Sequence, residues 1–277
     1  MLHLTYRLLA FFFQFSVLPS LLWMAPIHIA EGFPLACLVE GFEGLCSQQL
    51  EKSEVLLPDL QTLPPTDLRL LVDPNNGRKM IRFSNSVVNL GSGPLEFQGK
   101  FDRSTGVVQV TQVIYRSDST YIERRIGELL FHEEHDHWHW DDFSEYEVWT
   151  VTPDGALDAL IYSSGKVSYC LRDDEQALAD PTSKDALRMG NFPHQAVYRG
   201  CGWSRQGISA GWIDIYKNNI PGQYVVISAA EDGIYALKST VDPGNRLVEA
   251  DKTNNSVVIF IAIQNNRLNV IGTSYEP

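Results

Sequence analysis

The chain has 277 residues, enough for one large domain or two small ones, and its 44% hydrophobic and 20% charged residues are those of an ordinary globular protein. The formal net charge of −12 argues against nucleic acid as a partner and favours cationic ligands such as amines or basic proteins, although acidity also serves solubility. Arg7 is followed by an apolar run from Leu8 to about Ala30 without a charged residue. A basic start before an apolar stretch predicts a secretory signal over residues 1–30, and a run of about 23 residues is also long enough to remain as a membrane anchor. Ile27-His28-Ile29-Ala30 is a poor cleavage site, and Pro34 makes a lipoprotein box before Cys37 unconvincing.

Residues 31–56 read as a polar linker, and the folded domain is expected over 57–277, from Leu57-Pro58-Asp59-Leu60 onward. Four cysteines behind an export signal suggest disulfides, with the local pairing Cys37 to Cys46 and Cys170 to Cys201. Closing the second loop contributes on the order of 3–4 kcal/mol in the chain-entropy picture. No Cys-x-x-Cys spacing supports the cysteines as metal ligands.

From Leu57 the text is β. Met80–Asn89 alternates and ends in a Gly-Ser-Gly-Pro turn at 91–94, Val107–Ile114 is β-branched, and Tyr146–Val151 runs into Pro153-Asp154-Gly155. Gln223–Ser228, Tyr235–Val241 and Ser256–Ile263 follow, separated by Gly, Pro and Asn clusters. Short strands at turn-punctuated intervals predict an all-β, sandwich-like domain with long loops. The best helix candidate is Glu175–Arg188, interrupted by Pro181.

The run Phe131-His132-Glu133-Glu134-His135-Asp136-His137-Trp138-His139-Trp140 holds four of the seven histidines. On a strand, His135, His137 and His139 at i, i+2 and i+4 point to one face. Three convergent imidazoles suit copper or zinc and leave positions open for water, oxygen or substrate. Trp138 and Trp140 read as packing or pocket-wall residues, and His194 as incidental. With zinc, Glu133 or Glu134 could serve as the base of a hydrolase. An exposed histidine-rich strand edge is the plain alternative.

Read with the residues after it, this run resembles the catalytic domain of lysyl oxidases, secreted copper amine oxidases that build a lysine tyrosylquinone from their own side chains. The resemblance runs from about Leu57 to about Ile263. His135-Asp136-His137-Trp138-His139 looks like the family's His-x-His-x-His copper site, with His132 upstream where the family has a histidine not usually counted as a ligand. Gly165-Lys166-Val167-Ser168-Tyr169-Cys170-Leu171 resembles the segment supplying the cofactor lysine, which implies that role for Lys166. Asp214-Ile215-Tyr216 resembles the family's Asp-x-Tyr, which implies Tyr216 as the quinone parent. Glu249-Ala250-Asp251-Lys252-Thr253-Asn254-Asn255 is close to the family's acidic C-terminal motif. Together with Asp59-Leu60, the residues Glu249, Asp251, Asn254 and Asn255 then resemble a calcium site of oxygen donors. An Asx-rich turn capped by its own side chains is the other reading.

The resemblance implies oxidation of primary amines, small or as peptidyl lysine, to aldehyde, ammonia and hydrogen peroxide, with molecular oxygen as co-substrate. Such chemistry needs a redox metal, one tyrosine and one lysine close together, and zinc cannot supply the redox step. Asp214, two residues from Tyr216, is the first choice for the base that takes a proton from the substrate carbon. A binding or adhesion module with the same fold is the rival reading, and it has no need of Lys166 or Tyr216.

Three features depart from the animal members. Fewer cysteines remain in the domain, Glu145 stands where those members tend to have a histidine, and nothing resembles a basic propeptide or scavenger domain. Collagen and elastin are therefore not implied as substrates; a small amine or a lysine of another protein is equally compatible.

Overall fold

The computed structural model describes residues 53–177 and 195–275. The segment 1–30, the linker cysteines Cys37 and Cys46, His194 and most of the expected helix lie outside the described residues. Within them every regular element is a strand, fifteen in two antiparallel sheets, and there is no helix. The first, β1 (Val55–Leu56), pairs with β5 (Val107–Arg116) just ahead of the expected start at Leu57.

The large sheet runs β10 (Arg205–Ile208), β4 (Leu95–Asp102), β5, β6 (Tyr121–His132), β7 (His137–Val151), β13 (Gly233–Val241), β14 (Ser256–Gln264) and β15 (Arg267–Tyr275), with β8 (Leu157–Tyr169) paired to β7. The small sheet is centred on β3 (Lys79–Asn89). It carries β2 (Leu60–Val72), β11 (Trp212–Tyr216) and β12 (Tyr224–Val226), and β9 (Glu175–Gln176) borders β11. β2 shifts register around Pro64 and Pro65, which cannot donate to a ladder, and Asp67 takes φ 53° there. The expected helix does not start at Glu175. Asp174 donates its N–H to Ile213 (2.9 Å) and Glu175 pairs with Ile213, so the backbone spends its hydrogen bonds on β11.

The two sheets share one apolar interior, as a β-sandwich requires. One half joins Leu60, Val87, Trp212 and Tyr216 of the small sheet to Phe97, Val108, Trp140 and Phe143 of the large one. The other joins Ile81, Phe83 and Val225 to Tyr146, Leu237, Ile259 and Ile261. Trp140 is fully buried in that core, with the Arg246 guanidinium 4.1 Å from its ring centre. It is a packing residue and not a pocket wall.

Truncating the sandwich centre should be felt as a cavity. Leu237→Ala is expected to lower unfolding free energy by about 2–5 kcal/mol, read as a shift in chemical-denaturation midpoint at unchanged slope.

Candidate active site

The β6–β7 hairpin brings the histidines together. His132 faces His137 across it, and His135 sits in the four-residue turn between the strands, its N–H bonded to the His132 carbonyl (3.1 Å) and the next residue, Asp136, at φ 56°. The expected strand face thus holds only His137 and His139, and the turn folds His135 back to meet them. His139 Nε2 lies 2.8 Å from His137 Nε2 and 3.2 Å from His135 Nδ1. His132 stacks on His139 with ring centres 5.0 Å apart, and its buried Nδ1 has no hydrogen-bond partner.

Burial, then the neighbouring imidazoles, pushes His139 down to about 3. The same two causes lower His135, and burial is also the largest cause lowering His137. The rings are therefore neutral at neutral pH. His139 Nδ1 is 3.0 Å from the Ser168 hydroxyl, and a proton given there leaves Nε2 with its lone pair. Ring nitrogens this close repel unless a proton or cation lies between them, so the donor set fits a soft or borderline divalent metal.

The end of β8 supplies the other half. Lys166 lies opposite Glu145 in the β7–β8 ladder, two residues before Ser168. Tyr169 stacks on Tyr216, ring centres 3.6 Å apart and planes 18° from parallel. The next residue, Cys170, donates its N–H to the Tyr216 hydroxyl (2.5 Å), and the Tyr216 ring is 6.3 Å from that of His139. Cys170 forms the expected disulfide with Cys201 at a Cα–Cα separation of 5.4 Å, and the Cys201 carbonyl accepts the N–H of Trp138 between two of the histidines (3.2 Å). Tyr169 also bonds Tyr146 (2.5 Å) and Asn85 (3.1 Å), a buried polar network behind the ring.

On β11 the alternation expected for Asp214 and Tyr216 holds: Trp212, Asp214 and Tyr216 are buried, Ile213 and Ile215 less so. Asp214 is fully buried and neither carboxyl oxygen has a hydrogen-bond partner. Burial, then Asp174, pushes its carboxyl well above the usual range, while Arg172 pulls the other way. Burial and Asp214 likewise raise the Tyr216 phenol, against the pull of the Cys170 N–H and Arg172. Asp174 accepts the Ile215 N–H (3.0 Å) on one oxygen and Arg172 Nε (2.7 Å) on the other.

One cleft of about 570 Å³ is lined by His135, His137, Tyr216, Glu134, Arg172 and Lys217, while His139, Tyr169 and Asp214 are buried behind its wall. Sequence reasoning missed Ser168, Tyr169, Arg172 and Asp174. Their signal was position, since Ser168 and Tyr169 lie inside the quoted lysine segment and Arg172 and Asp174 follow it directly.

The acidic segment folds against the start of β2. Glu249 accepts the Leu60 N–H (3.0 Å) and the Asn255 amide (2.9 Å), and Asn254 donates to Asp59 (3.0 Å). The Asn254 and Asn255 side-chain oxygens are buried without partners. Asp251 stands apart, its oxygen taken by the N–H and hydroxyl of Thr253 (2.8 Å each), which is the capped Asx turn of the plain reading. Burial raises Glu249 to about 7.

The lysyl oxidase family model matches residues 107–273, a span that contains every candidate catalytic and metal-ligating residue except Asp59 and Leu60. Lysyl oxidase homolog 3 of Homo sapiens is 28% identical over 185 residues, covering 66% of this chain and 19% of that protein. Lysyl oxidase homolog 1 of Homo sapiens is 31% identical over 128 residues, 46% of this chain and 19% of that one. Protein-lysine 6-oxidase of Sus scrofa is 28% identical over 148 residues, 53% of this chain and 52% of that one. The chain therefore spans 19% of the two homologs and 52% of the oxidase.

Glu249 gives a pH signature with a definite sign. Its folded value of about 7 exceeds the ordinary 4.5, so its contribution is full below pH 4.5 and is lost as pH rises through 7, on the order of 3 kcal/mol. Glu249→Gln should flatten that part of the stability–pH curve in chelator-treated protein and raise stability at pH 8, measured by denaturant titration at several pH values.

Proposed function

Because the chain belongs to the lysyl oxidase family, we propose that it oxidises primary amines, small or as peptidyl lysine, to aldehyde, ammonia and hydrogen peroxide. The observation that carries this reading is the Tyr216 ring beside three convergent imidazoles, with the end of β8 delivering the Lys166 segment to the same place. His135, His137 and His139 would hold copper, and Lys166 and Tyr216 would be the parents of a lysine tyrosylquinone. Copper, with molecular oxygen as the terminal oxidant, would supply the oxidation of the Tyr216 ring, and the quinone the electrophile that takes the amine.

This chain's own groups do the positioning. The Cys170 N–H fixes the phenol oxygen, Tyr169 fixes the ring plane, and Ser168 sets the His139 tautomer. Asp214 moves the proton of the substrate carbon. A buried carboxyl with a raised affinity for protons is a strong base once ionised, and activity should rise with pH as it ionises. Export by way of residues 1–30 would suit the Cys170–Cys201 bridge, and the domain would extend over 57–277.

Protein expressed with copper in air should yield a peptide pair joined through Lys166 and Tyr216 in tryptic mass spectrometry. Asp214→Asn should keep the cross-link yet produce no peroxide, and Lys166→Ala should bind copper yet produce none. Unlinked residues in copper-loaded, aerated protein would leave a copper-binding module in place of an oxidase.

Calcium is the second ion we propose, held by Asp59, the Leu60 main chain, Glu249, Asn254 and Asn255, with Asp251 turning in from its present cap. A bound dication would keep Glu249 ionised. Millimolar calcium should raise the melting temperature at pH 8 in the wild type and not in Glu249→Gln; equal shifts in both would sink this site.

A further inference from the structure

The cleft over Tyr216 carries both signs of charge. Glu134 and Glu175 line it with Arg172 and Lys217, and Asp174 stands at Arg172. A site that takes only a cationic amine has no evident use for a guanidinium in its wall. Arg172 is nonetheless built in. Asp174 is pinned to β11 by main-chain bonds to Ile213 and Ile215, and it receives Arg172 Nε at 2.7 Å. That clamp aims the guanidinium at the strand bearing Asp214 and Tyr216. A guanidinium has five N–H donors; the edge bearing Nε and one terminal nitrogen faces Asp174, while the side chain remains 48% exposed. The outward edge can take a second carboxylate in bidentate fashion.

We propose that the substrates of this cleft are primary amines bearing a carboxylate, with Arg172 receiving the carboxylate and Lys217 adding to the positive wall. Glu134, beside the histidines, favours the ammonium end. A diamine would set its second cation against Arg172 and Lys217, and a plain alkylamine would leave the guanidinium edge to water. The inference rests on the oxidase reading for what becomes of the amine and is independent of it for binding.

Three probes of matched length test it: 6-aminohexanoate, hexylamine and 1,6-diaminohexane. Calorimetry on copper-free full-length protein should give 6-aminohexanoate an affinity advantage of about five-fold or more over the other two, as expected for a half-exposed charged pair. In the copper-loaded protein the same order should appear in kcat/KM for peroxide release. Arg172→Gln should bring the binding ratio to about one, and Arg172→Lys should restore part of it. Should Arg172→Gln fail to fold, Lys217→Gln, an exposed change outside the Asp174 clamp, should still lower the ratio. Hexylamine or the diamine bound as tightly as 6-aminohexanoate by the wild type would overturn the inference, as would a preference that survives in Arg172→Gln. Carboxylate-dependent binding without peroxide would keep the inference and discard the oxidase. Nα-acetyl-lysine against its amide, and the amide against acetyl-Lys-Glu-amide, then tells whether a terminal or a side-chain carboxylate is read; a gain in either comparison supports the inference.

Discussion

The site depends on one short stretch of backbone, Ser168 to Cys170, at the end of β8 and the residue that follows it. Three consecutive residues face three separate tasks there: a hydroxyl on His139, a ring on Tyr216 and an amide N–H on the Tyr216 oxygen. The disulfide from Cys170 to Cys201 then ties the same stretch to the backbone of the histidine strand through Trp138. Neither sheet alone could set the imidazoles against the tyrosine; this crosslinked corner joins them.

The second constraint is electrostatic. The site buries ionisable groups in their neutral forms, with imidazoles pushed down and the Asp214 carboxyl and Tyr216 phenol pushed up. Neutral groups in a buried place cost less than charges and stay available for a metal or a proton. Charge is kept to the rim, where Arg172 and Asp174 compensate one another.

Much of this was legible in the text. Turn-bounded β-branched runs gave β3, β5, β13 and β14 nearly to the residue, because those strands bury one or both faces. β4, β6, β8 and β15 were not found; they mix exposed apolar residues such as Phe101, Leu130 and Leu160 with charges, which blurs a period of two. The histidine spacing pointed to three imidazoles that do converge, but by an incomplete route, since strand periodicity accounts for His137 and His139 while His135 arrives through the turn. Glu175 looked helical for its neighbours, yet long-range pairing with β11 decided it. Asp251 looked like its acidic neighbours, and only the geometry separates a residue that caps its own turn from those that reach β2. Arg172 was invisible because its meaning lies in a partner two residues away and a strand forty residues on.

The position of His135 in the hairpin turn has a consequence for the order of assembly. Its three imidazoles span five residues of chain and are brought together by closing one hairpin, a local event on the microsecond scale. Tyr216 joins only after β11 has found β3, a distant pairing that closes much later. The nascent chain would thus own a hairpin with its imidazoles already gathered before it owns a tyrosine to place beside them, and the ring would arrive at a cluster already formed.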